Sequence, residues 1–380
     1  KNTQVSEQYI AEASVQGGLI DLPAGELRFA AGADFRRDVV SSDVDSAVQA
    51  GDIPFISGVS SRGSDSVKEV FGELAVPVLK DLPLIQKLDV DLGYRYSNYR
   101  SAGGVNTYKV DASWQVADVL RFRGGYERAI RAPTPSQLTD PAFRGTDRSF
   151  GTPPAAGDPC DIRSSFRNGP AASQVRALCA AQGMPAIFLD SYQTGQATFV
   201  VTSGGNPNLK PEVGDTYSVG AVLRSPFSNP WAQRLDLSVD YFNIALDGAI
   251  GTITGPQVLN LCFNGNGTAN TALSNSNNFC QQVRRDPGTG DISNIDVFLF
   301  NLGGYKTTGI DTQVNWRLPL GEVGLSDRWG QINVRAVATR LLSYELQNRP
   351  GDPFLDYAGT IGNAQVASGG VTKPHWRALM

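Results

Sequence analysis

The chain has 380 residues, a net charge of −4 and only 18% charged residues, so it lacks the basic footprint that nucleic acid binding requires. Gly (41) and Pro (22) are abundant, Met (2) and His (1) are scarce, and Tyr, Phe, Val and Asn stand where a helical protein carries Ala, Leu, Glu and Lys; this is the composition of an all-β chain rich in turns. No apolar run approaches the roughly 18 residues of a membrane-spanning helix, which excludes a helical membrane protein but not a barrel, whose strands show only as alternation.

In chain order, strands near 7–20 and 27–39 are joined by the short turn Leu22-Pro23-Ala24-Gly25. A polar loop (about 40–65) and a strand to about Leu79 lead to the tight connection Asp81-Leu82-Pro83. The clearest strand follows: Leu88, Val90, Leu92, Tyr94 and Tyr96 alternate with Asp89, Asp91, Gly93, Arg95 and Ser97. After Ser101-Ala102-Gly103-Gly104, the segment 105–116 repeats the pattern, with Tyr108, Val110, Ala112, Trp114 and Val116 on one face. A turn at Ala117-Asp118 precedes 119–130, where Leu120, Phe122, Gly124 and Tyr126 oppose Arg121, Arg123, Gly125 and Glu127.

A very long loop, 131–211, separates this from a strand at 212–225, which turns at Ser228-Asn229-Pro230. In 234–247, Leu235, Leu237, Val239 and Tyr241 oppose Arg234, Asp236, Ser238 and Asp240. A second long loop, 248–300, precedes strands 304–318 and 330–343, which turn near Gly321-Glu322. Within the long loops, helical spacing marks 171–183 and Pro256 to Phe263, and Asp286-Pro287-Gly288-Thr289-Gly290-Asp291 reads as a β-turn, since it lacks the ligand series and terminal Glu of a calcium loop.

A soluble β-sandwich would also alternate. With strands crossing in strict up-down order, however, nearly all long loops fall on one side and all tight turns on the other, an asymmetry of outer-membrane barrels that a sandwich has no reason to adopt. The four cysteines form two local pairs, Cys160/Cys179 and Cys262/Cys280, in polar, Gly/Asn-rich loops; disulfides in an oxidising compartment fit better than structural zinc, because no CxxC exists and His375 is remote. No Ser/His/Asp or Cys/His arrangement is visible, and Asp89 and Asp91 read as polar lining, with Arg95, Arg121 and Arg123 to balance them. No enzyme activity, cofactor or metal is expected.

Four segments carry a family resemblance. Arg128-Ala129-Ile130-Arg131-Ala132-Pro133, Gly205-Asn206-Pro207-Asn208-Leu209-Lys210-Pro211-Glu212, Asn301-Leu302-Gly303 with Thr307-Thr308-Gly309-Ile310-Asp311, and Lys373-Pro374-His375-Trp376-Arg377 occur in the order found in TonB-dependent outer-membrane receptors. They resemble most the branch common in relatives of Sphingomonas, Caulobacter and Xanthomonas. The resemblance implies a transmembrane antiparallel β-barrel of about 22 strands, of which residues 1–380 supply ten and the start of an eleventh, with 131–211 and 248–300 as extracellular loops. It implies that the chain is a fragment lacking the N-terminal plug domain and the TonB-binding segment.

The function implied is uptake of a scarce ligand across the bacterial outer membrane, driven by TonB–ExbB–ExbD, with outer-membrane lipid around the barrel. A ferric siderophore is the first candidate cargo, carbohydrate or cobalamin the next. A passive porin-like channel and a surface-attached β-structured adhesin or lectin are the competing readings. Ligand contacts are expected from the extracellular loops and upper lumen wall, with Arg131, Arg144, Arg148, Tyr192 and Asn206 as candidates; in 131–211, seven Arg and Lys against five Asp make a mildly basic mouth.

Overall fold

The computed structural model describes residues 2–50, 52, 58–147, 151–154, 156–196, 198–347, 352–360 and 376–379. Ten long strands dominate: β1 (Thr3–Leu22), β2 (Gly25–Asp43), β3 (Ser61–Leu82), β4 (Ile85–Tyr99), β5 (Gly103–Ala117), β6 (Leu120–Arg131), β7 (Glu212–Arg224), β8 (Leu235–Asp247), β9 (Tyr305–Pro319) and β10 (Gln331–Leu346). They form one antiparallel meander in which each strand pairs with the next in sequence. Short segments at Leu355–Asp356 and Trp376–Leu379 pair with the free side of β10, and among the described residues the sheet does not close. The expected elements are all present, and the strands run a few residues past the expected ends because backbone pairing continues where side-chain alternation has faded.

Cross-strand register merges the alternating faces into two continuous surfaces. Leu74, Leu92, Val110, Tyr126 and Tyr217 stand side by side on one. On the other, Arg95 contacts Asp34 and Glu69 at 3.5 and 3.2 Å, Arg123 meets Asp240 in two bonds of 2.7 and 2.6 Å, and Lys87 meets Asp89 at 2.8 Å. Asp89 is thus balanced by a lysine of its own strand, not by the arginines expected from sequence.

The loop-side edge of the apolar surface is sharp. The polar residue that ends the apolar face on each strand, from β1 to β10, is Glu7, Arg37, Lys68, Asn98, Asn106, Arg128, Asp215, Asn243, Thr308 and Arg340, with Thr312 as a hydroxyl inside the face on β9. Two residues below these stand Tyr9, Phe35, Val70, Tyr96, Tyr108, Tyr126, Tyr217, Tyr241, Ile310 and Ala338. The position is aromatic in seven strands of ten, which makes a girdle of the kind found at a membrane–water interface. Ring centroids of Tyr126 lie 5.8 Å from Tyr108 and 4.6 Å from Tyr217. At the opposite edge, the indole N–H groups of Trp114 and Trp316 donate to Leu84 O (2.9 Å) and Trp231 O (2.7 Å) in the tight turns.

This edge is slanted against the register. Val76, eight residues below Lys68, shares a row with Val90, Ala112, Gly124, Val219, Tyr241, Ile310 and Arg340. Eight residues at about 3.3 Å give a drop of about 26 Å across seven strand spacings of about 4.8 Å, or about 34 Å. The boundary is level only if the strands tilt by about 38°, within the 35–45° range of membrane barrels. A sheet packed face-on in a soluble sandwich has no such requirement.

Candidate ligand-binding mouth and loop roots

The polar surface is concave near its loop end. A cavity of about 410 Å³ there is lined by Arg36, Glu69, Arg95, Tyr99, Lys109 and Glu127 among others. Its polar groups are cross-linked: Ser97 donates to Glu69, and the Arg95 guanidinium also stacks 4.8 Å from the Phe71 ring. Above it, the first long loop folds back as a short helix, Pro135–Thr139, started by a Thr134/Gln137 capping box. This helix crosses to β3, where a side chain at Gly63 would lie 2.2 Å from Thr139 Oγ1 and 3.0 Å from Pro135 O.

The two long loops form one folded unit. Phe143–Asp147, Phe199–Ser203, Ile292–Asp296 and Val283–Arg285 build a four-stranded sheet, and the pairing that joins the loops, Ile295↔Val201 and Asp296↔Thr202, is parallel. The helices expected from spacing are Ala172–Ala181 and Gly255–Cys262. Both disulfides are formed, Cys160–Cys179 and Cys262–Cys280, and they pack into one core with Val175, Leu178, Met184 and Phe263. A second core gathers Phe199 from the first loop with Val258, Leu259, Ile292 and Ile295 from the second. Many large apolar residues of the long strands are exposed, and most of the described hydrophobic core lies in these loops.

One ion pair holds the loops together from inside. Arg285 donates to both carboxylate oxygens of Asp158 (2.6 and 2.7 Å), both side chains are fully buried, and a further bond runs to Gly290 O at 3.0 Å. Burial alone would lower the guanidinium's pKa, but the charge and hydrogen bonds of Asp158, with Tyr192 and Asp291 nearby, together raise it. The Tyr192 hydroxyl points at Asp158 (3.2 Å) and donates to Asp291 (2.9 Å); burial and the Asp158 charge push its pKa far above the usual value. Asp161 is pushed up by burial but held below the ordinary range by Arg163 and by the N–H groups of Arg163 and Thr194.

Three of the four segments that carried the family resemblance meet at the loop roots, and Lys373, Pro374 and His375 of the fourth lie outside the described residues. Arg131 pairs with Glu212, and the other Glu212 oxygen accepts the Ile250 N–H at 2.6 Å. Asn206 accepts from the Asn208 N–H and donates to Leu299 O (2.8 Å), tying the first loop to the second. Asn301 accepts from the Lys210 N–H and donates to Lys210 O and Gly248 O, each at 2.8 Å. These residues splice two long loops onto β6 to β9.

Arg131 and Asn206 therefore sit in the root with their polar groups engaged. Tyr192 is 6% exposed and Phe199 2% exposed, so both pack the loop unit from inside. Arg144 is exposed on Phe143–Asp147 and has no ion pair among the described residues; Arg148 lies outside them. Of the other loop cations, Arg163 pairs with Asp161, while Arg167 and Arg176 share Asp190. Four of the seven cations in 131–211 are thus engaged by carboxylates. Asp158 and Arg285 were not singled out from sequence: 127 positions separate them, and neither sits in a motif.

The chain matches the family "TonB dependent receptor-like, beta-barrel" over residues 2–368. Among curated proteins nothing matches. Similar solved structures include the siderophore receptor PirA from Acinetobacter baumannii (13% identity, TM-score 0.51, covering 94% of this chain and 39% of that one). A ferric enterobactin receptor (PfeA) mutant from Pseudomonas aeruginosa gives 16%, 0.53, 90% and 36%. A double mutant of the Serratia marcescens hemophore receptor HasR, in complex with hemophore HasA and heme, gives 14%, 0.51, 99% and 47%. At these identities the structures speak to the fold, and this chain spans less than half of each. The chain belongs to the TonB-dependent receptor β-barrel family.

Proposed function

We propose that the parent protein sits in the bacterial outer membrane and actively imports a scarce ligand, a ferric siderophore being the first candidate, with energy delivered by TonB–ExbB–ExbD. The observation that carries this reading is the slanted aromatic boundary, which suits a sheet tilted through a bilayer with a folded cap on one side. The cap and the polar wall below it form the capture mouth, where Arg144 is the candidate contact because its charge is uncommitted among the described residues. Binding outside and pulling from within move the cargo without covalent chemistry. The test is uptake of labelled ferric chelates by cells with and without the gene, repeated after collapse of the proton gradient. Gene-dependent uptake that stops on collapse supports the proposal; uptake that persists makes the protein a passive pore.

A second reading, carbohydrate cargo, is favoured by the neutralised loop cations, which leave the cap little long-range attraction for an anion. Competition between neutral oligosaccharides and ferric chelates for the purified full-length protein separates the two.

A further inference from the structure

The sequence carries three Asn-Gly steps, Asn168-Gly169, Asn264-Gly265 and Asn266-Gly267, and all three lie in the two long loops. A glycine nitrogen has no neighbouring Cβ to keep it from the carboxamide carbon of the residue before it, so such a step is able to cyclise on itself. The fold sets the three apart. Asn168 donates through Nδ2 to Ile162 O (2.8 Å) and Ser164 O (2.9 Å), and none of the described donors bonds its side-chain oxygen. Asn264 is half-buried with a φ of +57°, and its oxygen accepts the Asn270 N–H at 3.1 Å. Gly265 N donates to Asn260 O at 2.7 Å, and a Cβ at Gly265 would lie 2.6 Å from the Asn260 side chain. Cyclisation at Asn264 requires that packing to open.

Asn266 is exposed, as are Gly265, Gly267 and Thr268 around it. Its Oδ1 accepts two main-chain N–H groups, from Thr268 (3.3 Å) and Ala269 (3.1 Å), in an Asx turn. Nδ2 donates to Thr268 Oγ1 at 2.9 Å, which fixes which end of the carboxamide faces those N–H groups. No atom lies within 4 Å of a Cβ built at Gly267, so the approach to its nitrogen is open. The Gly267 N–H rests on Asn264 O at 2.9 Å, a bond at the exposed loop tip that breaks without disturbing either core.

We propose that Asn266 is a site of self-modification by deamidation, the first of the three Asn-Gly steps to convert. Hydroxide takes the Gly267 N–H proton, and the nitrogen forms a bond to Asn266 Cγ. The negative charge moves to Oδ1, where the Thr268 and Ala269 N–H groups are aimed in the manner of an oxyanion hole. The Cγ–Nδ2 bond then breaks, and the nitrogen takes a proton from water and leaves as ammonia, which returns the hydroxide. Water opens the resulting succinimide to aspartate or isoaspartate. One water is consumed and nothing is oxidised. The product adds a negative charge to the tip of the second long loop, and its isoaspartyl form lengthens the main chain there by one carbon.

The test incubates the full-length protein in heavy-oxygen water at mildly alkaline pH, folded in detergent and, in parallel, denatured with its disulfides reduced. Peptide mapping by mass spectrometry scores each Asn-Gly step, and the heavy oxygen separates conversion during the incubation from earlier conversion. In the folded protein Asn266 should convert about tenfold faster than Asn168 and Asn264, the order of effect that two neutral hydrogen bonds to the reacting oxygen contribute. In the denatured protein the three rates should draw level. Conversion at Asn168 or Asn264 that matches or outruns Asn266 in the folded protein, or an Asn266 lead that persists after denaturation, would overturn the assignment.

Discussion

Removing one half of the Asp158–Arg285 pair should release both long loops at once. Both side chains are fully buried, so Asp158→Ala leaves a guanidinium charge enclosed beside Gly290 O, the Gln182 side chain and Cys160 Sγ, with no carboxylate bonded to it. Breaking a buried pair from one side costs about 3–5 kcal/mol, which raises the open population of the loop unit by roughly two to three and a half powers of ten. Arg176→Ala removes half of a pair exposed on both sides, 46% and 69%, and should cost no more than about 1 kcal/mol. Hydrogen exchange on the full-length protein reads the difference. In Asp158→Ala, protection should fall together in Phe199–Ser203 of the first loop and Ile292–Asp296 of the second, while β3 to β5 keep theirs. Unchanged exchange, or release of one loop without the other, would refute the idea that the loops share one core.

Further predictions concern the sheet and the cap. Val90→Arg, on the apolar surface, should destabilise the assembled barrel by about 2–4 kcal/mol, while Asp91→Arg is tolerated, as scored by heat-modifiable migration of the parent protein. Replacing Cys160 and Cys179 with serine opens a link across 19 residues and should lower cap stability by about 3 kcal/mol in denaturant titrations of cap protection. Asp161 supplies a pH dependence of known sign. Its folded pKa is depressed, so its contribution is present above the unfolded value near 3.8 and is lost as pH falls through the folded one. Cap protection should therefore be flat from neutral pH to about 5 and weaken below about 4; a smaller acid response in Asp161→Asn, measured by exchange against pH, checks it.

The strands and their facing were legible in the sequence because each obeys a local rule. A residue such as Val90 declares its side by its neighbours Asp89 and Asp91, whatever lies across the sheet. The slant of the polar boundary was not legible, since it exists only once register fixes which residues share a row. The cap was half legible: the spacing of Val175 and Leu178 gave a helix, and the cysteine pairs are local. Its core was not, because Asp158–Arg285 and Val201↔Ile295 join distant segments that carry no shared pattern. Tyr192 misled for a related reason. An aromatic in a polar loop resembles a ligand platform until its hydroxyl is seen buried against Asp158 and Asp291.

The claim beneath all of this is that the apolar surface meets lipid at a tilt. Leu74, Leu92, Val110, Tyr126, Tyr217 and Asn243 occupy one register row, yet the slanted boundary puts Leu74 deep in the bilayer and Asn243 at its edge. Nitroxide labels at these positions in the reconstituted full-length protein, read by oxygen and nickel accessibility, should rise steadily toward water by about 15 Å from β3 to β8, five strand spacings at a tilt near 38°. Equal depths along the row, or labels shielded from oxygen and nickel alike, would contradict it.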